Sequence, residues 1–298
     1  MPIRIATAPV SWGIMEVEGW ARRQTYAEVL DEMVQAGYTG TELGPYGFLP
    51  TDSQELKREL EKRNLTLLGA FVPLPLGHPE RHQEGMRSAL EIARLLAANG
   101  APFIVLADEM SEKRMAIAGR AGRDHGFTEA QWEDAAKLLS CIARNAQEIG
   151  VRSVFHHHAG TYIETPDEVA RLLDVTDPLR LGICLDTGHY FYGGGDPVEF
   201  ARAHAHRIWH LHLKDIRANV LEKIRREKIA YLEAIRSGVF SELGQGDVDL
   251  AGVIHELDKA GFDGWAVFEQ DIDPTVPGTN PLASATRSRD YLRRAAGV

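Results

Sequence analysis

Cysteine is scarce in this 298-residue chain, which has only Cys141 and Cys184. They lie far apart in apolar segments, so they read as small buried thiols in a reducing compartment, not as a disulfide frame. Nowhere does the sequence approach the roughly 18 uninterrupted apolar residues that a membrane-spanning helix needs. The N-terminal MPIRIATAPVSW also lacks the positive start and long apolar stretch of a secretory leader. A cytoplasmic location without a membrane partner is therefore expected. Positive charge is in deficit too: 33 Lys and Arg against 43 Asp and Glu give a net charge of −10. Such a surface repels phosphate backbones, and no basic stripe with interleaved aromatics offsets it, which argues against a nucleic-acid partner. Repeats, low-complexity tracts and linkers are absent as well, so nothing divides the chain.

What is present is alternation. Eight β-like runs are spaced along the chain: IRIATA (3–8), YTGTEL (38–43), LTLLGAFV (65–72), PFIVLA (102–107), VRSVFH (151–156), RLGICL (180–185), RIWHLHL (207–213) and WAVFEQ (265–270). Several are nearly continuous apolar runs, the pattern of parallel strands buried on both faces. Amphipathic helices lie between them. Thr25 to Glu28 and Thr128 to Gln131 have the form of capping boxes, and Thr165-Pro166 and Asp196-Pro197 add proline at the first helical position. Eight strands alternating with helices predict an α/β fold, a (β/α)8 TIM barrel forming one domain over residues 1–298. The rival, an open doubly wound sheet, usually carries a glycine-rich turn after its first strand, and APVSWG is not one. Two loops are longer than a barrel needs, at about 108–127 and 215–248. The second contains IRREKIAYLEAIRSG, which reads as an extra helix. Long loops on the functional face serve as lids or as contacts between subunits, and a homodimer is one expected arrangement.

Barrel active sites are built at the C-terminal ends of the strands. Those ends carry Glu42, the run His156-His157-His158, Asp186 with His189, then His210, His212 and Lys214, and finally Glu269. Side chains alternate along a strand, so His210, His212 and Lys214 share one side, and His156 shares a side with His158. Imidazoles and carboxylates from four neighbouring strand ends make a mixed nitrogen and oxygen site. His156, Asp186, His212 and Glu269 are the expected ligands, with His158 able to replace His156. The donor set suits Mn²⁺, Co²⁺, Fe²⁺, Zn²⁺ or Mg²⁺ without choosing among them.

In order along the chain, FHHHAGTYIETPDE, LDTGHYFYGGGDP, IWHLHLKDIR, GQGDVDL and GWAVFEQD resemble the xylose-isomerase-like barrel superfamily. Together with GTELGPYGFLP, they are most similar to the inosose (2-keto-myo-inositol) dehydratases within it. The resemblance covers most of the chain and implies a divalent metal held by strands 5 to 8, Mn²⁺ or Co²⁺ being expected first. It departs after Ser11-Trp12-Gly13: those dehydratases tend to have a tryptophan and an acidic segment there, whereas this chain reads IMEVEG.

The implied activity is that of a lyase in carbohydrate metabolism, specifically inositol catabolism, removing water from a keto-polyol. The metal would bind the ketone and an adjacent hydroxyl and stabilise the enediolate. Lys214, Glu42 and His189 are candidates for the base, and His158 or His189 for the group that protonates the departing hydroxyl. His189 could instead orient Asp186. Trp12, Tyr46 and His210 are candidate substrate contacts, with Phe71 and Trp209 as further lining aromatics. The alternative is a ketose isomerase or epimerase using the same metal. An abasic-site endonuclease needs extra metal-binding histidines after strands 2 and 3, where only His78 and His82 lie nearby.

Overall fold

The computed structural model of the protein describes residues 3–15, 17, 20 and 24–297. Part of the divergent IMEVEG segment, namely Glu16, Glu18 and Gly19, lies outside the described residues. The strands are β1 (Arg4–Thr7), β2 (Gly40–Thr41), β3 (Thr66–Leu67), β4 (Phe71–Leu74), β5 (Phe103–Asp108), β6 (Arg152–His156), β7 (Leu181–Asp186), β8 (Ile208–Leu213), β9 (Asp215–Ile216), β10 (Phe240–Ser241) and β11 (Trp265–Phe268). Nine of them form one parallel sheet in the order β3-β2-β1-β11-β8-β7-β6-β5-β4. Its two outer members, β3 and β4, divide the single predicted run 65–72, with β4 extending past it to Leu74, so the sheet closes on itself and has eight staves. Hydrogen bonds bridge the break on both sides: Leu68 N–H donates to Thr41 O on one, and Phe103 N–H donates to Leu68 O on the other. The break centres on Gly69. A Cβ there would lie 2.9 Å from the Phe103 carbonyl oxygen, so only glycine lets the neighbouring backbone approach so closely.

The expected helix starts are formed. Thr25, Thr128 and Thr165 each accept a backbone N–H from the third residue of their helix within a capping box, and Asp196 caps Pro197–His204. Leucine, isoleucine and alanine on the inner faces of these helices, such as Leu139 and Ile142, pack on the outside of the barrel. Inside the barrel, Val105, Val154 and Cys184 pack with Phe103 and Trp209.

Trp209 reaches the interior through a β-bulge. Ile183 pairs with Ile208 and Cys184 with His210, so Trp209 is the extra residue. Arg152 stacks over it at 3.8 Å, and Arg4 lies 4.8 Å over Trp265. These contacts sit at the strand starts, away from the residues singled out above, so Trp209 does not line the candidate site.

The two long loops are ordered. The loop after β5 carries a helix (Glu112–Ile117). Glu164 ties it to the loop after β6 by accepting N–H groups from Gly119 and Gly160, both at 2.6 Å. The loop after β8 contains two helices (Ala218–Glu227 and Tyr231–Arg236) where the sequence suggested one, plus an antiparallel pair, β9 with β10. The organiser of this loop is Asp215, whose carboxylate accepts N–H groups from Ile216, Gly244, Gly246 and Val248. Gly246 must be glycine, since a Cβ there would meet the Asp215 carboxylate at 2.3 Å.

Candidate active site

A cavity of about 410 Å³ opens at the C-terminal ends of the staves. Glu42, His156, His158, Lys214, Glu269 and Asp271 form its polar floor, and its walls include Val10, Phe71, Pro73, Met110, Met115 and Leu232.

The strand pleat places the floor. His210, His212 and Lys214 project inward from β8 and the residue after it, and all three are buried. From β6, His156 and His158 face the cavity. His157 turns the other way against the Tyr190 ring at 5.3 Å, with both ring nitrogens unpartnered. Burial takes its pKa down to about 3, so it is a neutral member of the outer layer.

His156, Asp186, His212 and Glu269 come together: one donor atom from each lies within 4.8 Å of the others. His156 Nε2 is 3.3 Å from Asp186 Oδ2. His212 Nδ1 is 3.3 Å from Glu269 Oε2 and 3.9 Å from Asp186 Oδ2. This nitrogen is buried and has no hydrogen-bond partner. The opposite nitrogen, Nε2, lies 3.1 Å from Glu42 Oε1, which also holds His210 Nε2 at 2.6 Å. Glu42 therefore fixes the His212 ring from behind, the arrangement by which a carboxylate orients a metal-ligating imidazole.

Charge points the same way. Glu42, Asp186, Glu269 and Asp271 are four buried carboxylates, faced by the single ammonium of Lys214. That ammonium donates to Asp271 Oδ1 at 2.7 Å and lies 3.3 Å from Asp186 Oδ2 and 3.2 Å from Glu269 Oε2. Burial opposes ionisation of Asp186, but Lys214 and the His189 and His156 imidazoles outweigh it and hold this carboxyl well below its usual range. Burial also opposes a charge on His212, yet the Glu269 and Glu42 carboxylates push its pKa well above 6.5. A proton on His212 thus sits where a cation would relieve the same negative charge, and binding a metal would displace it. The residues fit a divalent cation.

Two other clusters of possible ligands adjoin this one. Cys184, His210 and His212 lie one layer deeper, and burial holds the Cys184 thiol up at about 12, so it stays protonated. The third cluster, His158, His189 and Asp271, shares Asp271 with Lys214.

The remaining expectations divide. Lys214, a candidate base, lines the floor. Burial would lower its pKa, and Asp186, Asp271 and Glu269 raise it above the ordinary lysine value, which favours the ammonium over the free amine that a base needs. His189 does not line the cavity: it sits behind His158, with ring centroids 3.8 Å apart, and its Nε2 is 2.9 Å from Lys214 Nζ. Its backbone N–H donates to Asp186 Oδ1 at 2.8 Å. Glu42 reaches the cavity, but its Oε1 is committed to the two histidines. Burial notwithstanding, they hold it ionised below the usual carboxylate range.

Three predicted substrate contacts are corrected as well. Trp12 is fully buried away from the cavity, its Nε1 donating to Glu32 at 2.7 Å. Tyr46 is 39% exposed and points outward, donating to Glu91 at 3.0 Å. His210 lies beneath the floor, bound to Glu42 and packed on Phe103 at 5.2 Å. Phe71 does line the cavity, edge-on to His156 at 5.7 Å. His78 is exposed and His82 bonds the Leu76 carbonyl, so neither joins the site.

Sequence reasoning missed Asp271 and Tyr231. Tyr231 OH donates to Asp271 Oδ2 at 2.9 Å, and Asp271 anchors Lys214. The signal for Asp271 was available, since in FEQD it stands two residues beyond Glu269 on the same side.

A protein-family model described as xylose isomerase-like TIM barrel matches residues 30–295. Among named proteins, an inosose dehydratase of Clostridium botulinum (strain Alaska E43 / Type E3) is 32% identical, covering 99% of this chain and 98% of its own. An inosose dehydratase of Geobacillus kaustophilus is also 32% identical, covering 98% and 94%. Among solved structures, the IOLI protein with a binding zinc atom superposes with a TM-score of 0.74 at 13% identity, covering 99% and 98%; at that identity the likeness is one of fold.

Proposed function

The chain belongs to the xylose isomerase-like TIM barrel family, and from that membership we propose that it is a divalent-metal-dependent hydro-lyase acting on a keto-polyol such as 2-keto-myo-inositol. The observation that carries the metal is His212, with one nitrogen fixed by Glu42 and the other, buried and unpartnered, facing Glu269 and Asp186. His156, Asp186, His212 and Glu269 would hold the cation, Mn²⁺ and Co²⁺ being the first to test. When bound, it supplies Lewis-acid polarisation of the substrate carbonyl.

The protein's own groups divide the proton work. His158 Nδ1–H donates to the Ala159 carbonyl at 2.7 Å, which leaves the Nε2 lone pair free. Burial first, then His156 and Lys214, keep its pKa well below 6.5, so the ring is neutral at pH 7. His158 lines the cavity and would take the proton from the carbon beside the carbonyl. The β-hydroxyl then departs with a proton as water, and His158 is the residue able to return that proton. Lys214 stays charged and steadies negative charge developing on substrate oxygen.

An epimerase would use the same proton removal and return the proton to carbon. Incubation of metal-loaded protein with 2-keto-myo-inositol in D₂O separates the two. The expected product has lost one water and shows a new conjugated enol absorbance. Deuterated isomers with all substrate oxygens retained, and no dehydrated product, would replace the lyase reading with the epimerase one.

A further inference from the structure

Asp108 ends β5, and nothing in the proton chemistry above uses it. It lines the cavity, yet it is only 2% exposed. Its Oδ2 accepts the Tyr162 N–H at 2.9 Å, while Oδ1 is buried with no hydrogen-bond partner. The Leu76 N–H approaches the Asp108 carboxyl but donates to the Leu74 carbonyl at 2.9 Å. The adjacent Glu109 is taken by Arg81 at 2.6 Å. The other lining groups from this side, Phe71, Pro73, Met110 and Met115, are apolar. Buried acceptors are almost always satisfied, so an orphaned carboxylate oxygen on a ligand cavity points to a group that the ligand brings. Burial and Glu109 outweigh the Tyr162 and Leu76 N–H groups and Arg114 and push the Asp108 pKa up to about 7.

Resting on the keto-polyol reading above, we propose that Asp108 is a specificity-determining residue that binds a substrate hydroxyl remote from the carbons that lose hydrogen and hydroxide. A hydroxyl suits it because it donates to the carboxylate and accepts from the carboxylic acid. A ligand with hydrogen or methyl at that position would leave Oδ1 unpaired, which is how a buried polar group rejects a deoxygenated analogue.

The test is affinity of Mn²⁺-loaded protein for 2-keto-myo-inositol and its single-deoxy analogues, read by rapid mixing before turnover, in wild type, Asp108→Leu and Asp108→Asn. In wild type, one remote deletion should weaken binding about ten- to a hundredfold, the range for a hydrogen bond to a charged group. Asp108→Leu should bind the parent weakly by a similar factor and lose under about twofold more on that deletion. Should Asp108→Leu not fold, Asp108→Asn keeps an acceptor for the Tyr162 N–H and should shrink the penalty to severalfold. Equal penalties in wild type and variants overturn the assignment. Turnover is followed in the same samples. Parent compound that binds but is never dehydrated counts against the lyase reading and leaves the Asp108 comparison intact.

Discussion

Replacing His212 by alanine is expected to remove the divalent cation and the dehydratase activity together. The ring offers Nδ1 to the cluster and is pinned through Nε2 by Glu42. Its loss removes one of four donors and strips Glu42 of one of its two imidazole partners. Lewis-acid stabilisation amounts to several kcal/mol, so turnover should fall by at least about 10³-fold. Elemental analysis after dialysis should find no bound metal in the variant. Glu42→Gln makes the contrast. It touches the ring only from behind and should weaken metal affinity about 10- to 100-fold without abolishing binding. A metal-free His212→Ala protein with normal turnover would sink the proposal.

His158→Gln should act on the chemistry alone. The cation stays in place, because His158 is not among the four grouped donors, while kcat drops about 10²- to 10⁴-fold, the usual worth of a positioned proton carrier. KM should change little, as the surrounding floor remains. A kcat within a few-fold of wild type would move the proton transfer elsewhere, with Glu269 or Asp271 as the next cavity carboxylates to vary.

Much of the fold was legible because a parallel barrel stave is buried on both faces, and that burial writes a continuous apolar run. Helix starts were legible because Thr25, Thr128, Thr165 and Asp196 satisfy backbone donors locally. The meeting of His156, Asp186, His212 and Glu269 followed from strand alternation plus the rule that strand ends face one mouth. What failed depended on long-range partners. Gly69 splits the third stave because of Phe103, a residue from the next one. Trp12 and Tyr46 were assigned to the cavity on type alone, whereas their polar tips are satisfied by Glu32 and Glu91 on surrounding helices. The basicity of Lys214 is set by three carboxylates from the ends of two other staves, and a sequence does not state how many will converge. Asp108 stayed hidden for the opposite reason: its importance lies in a partner the protein does not supply.

The most direct test of the whole account compares product formation from 2-keto-myo-inositol by EDTA-stripped protein with the same protein reloaded with Mn²⁺ or Co²⁺. Loss of water is expected in the reloaded samples and none in the stripped one. Equal rates of dehydration in protein shown by elemental analysis to hold no metal would contradict it.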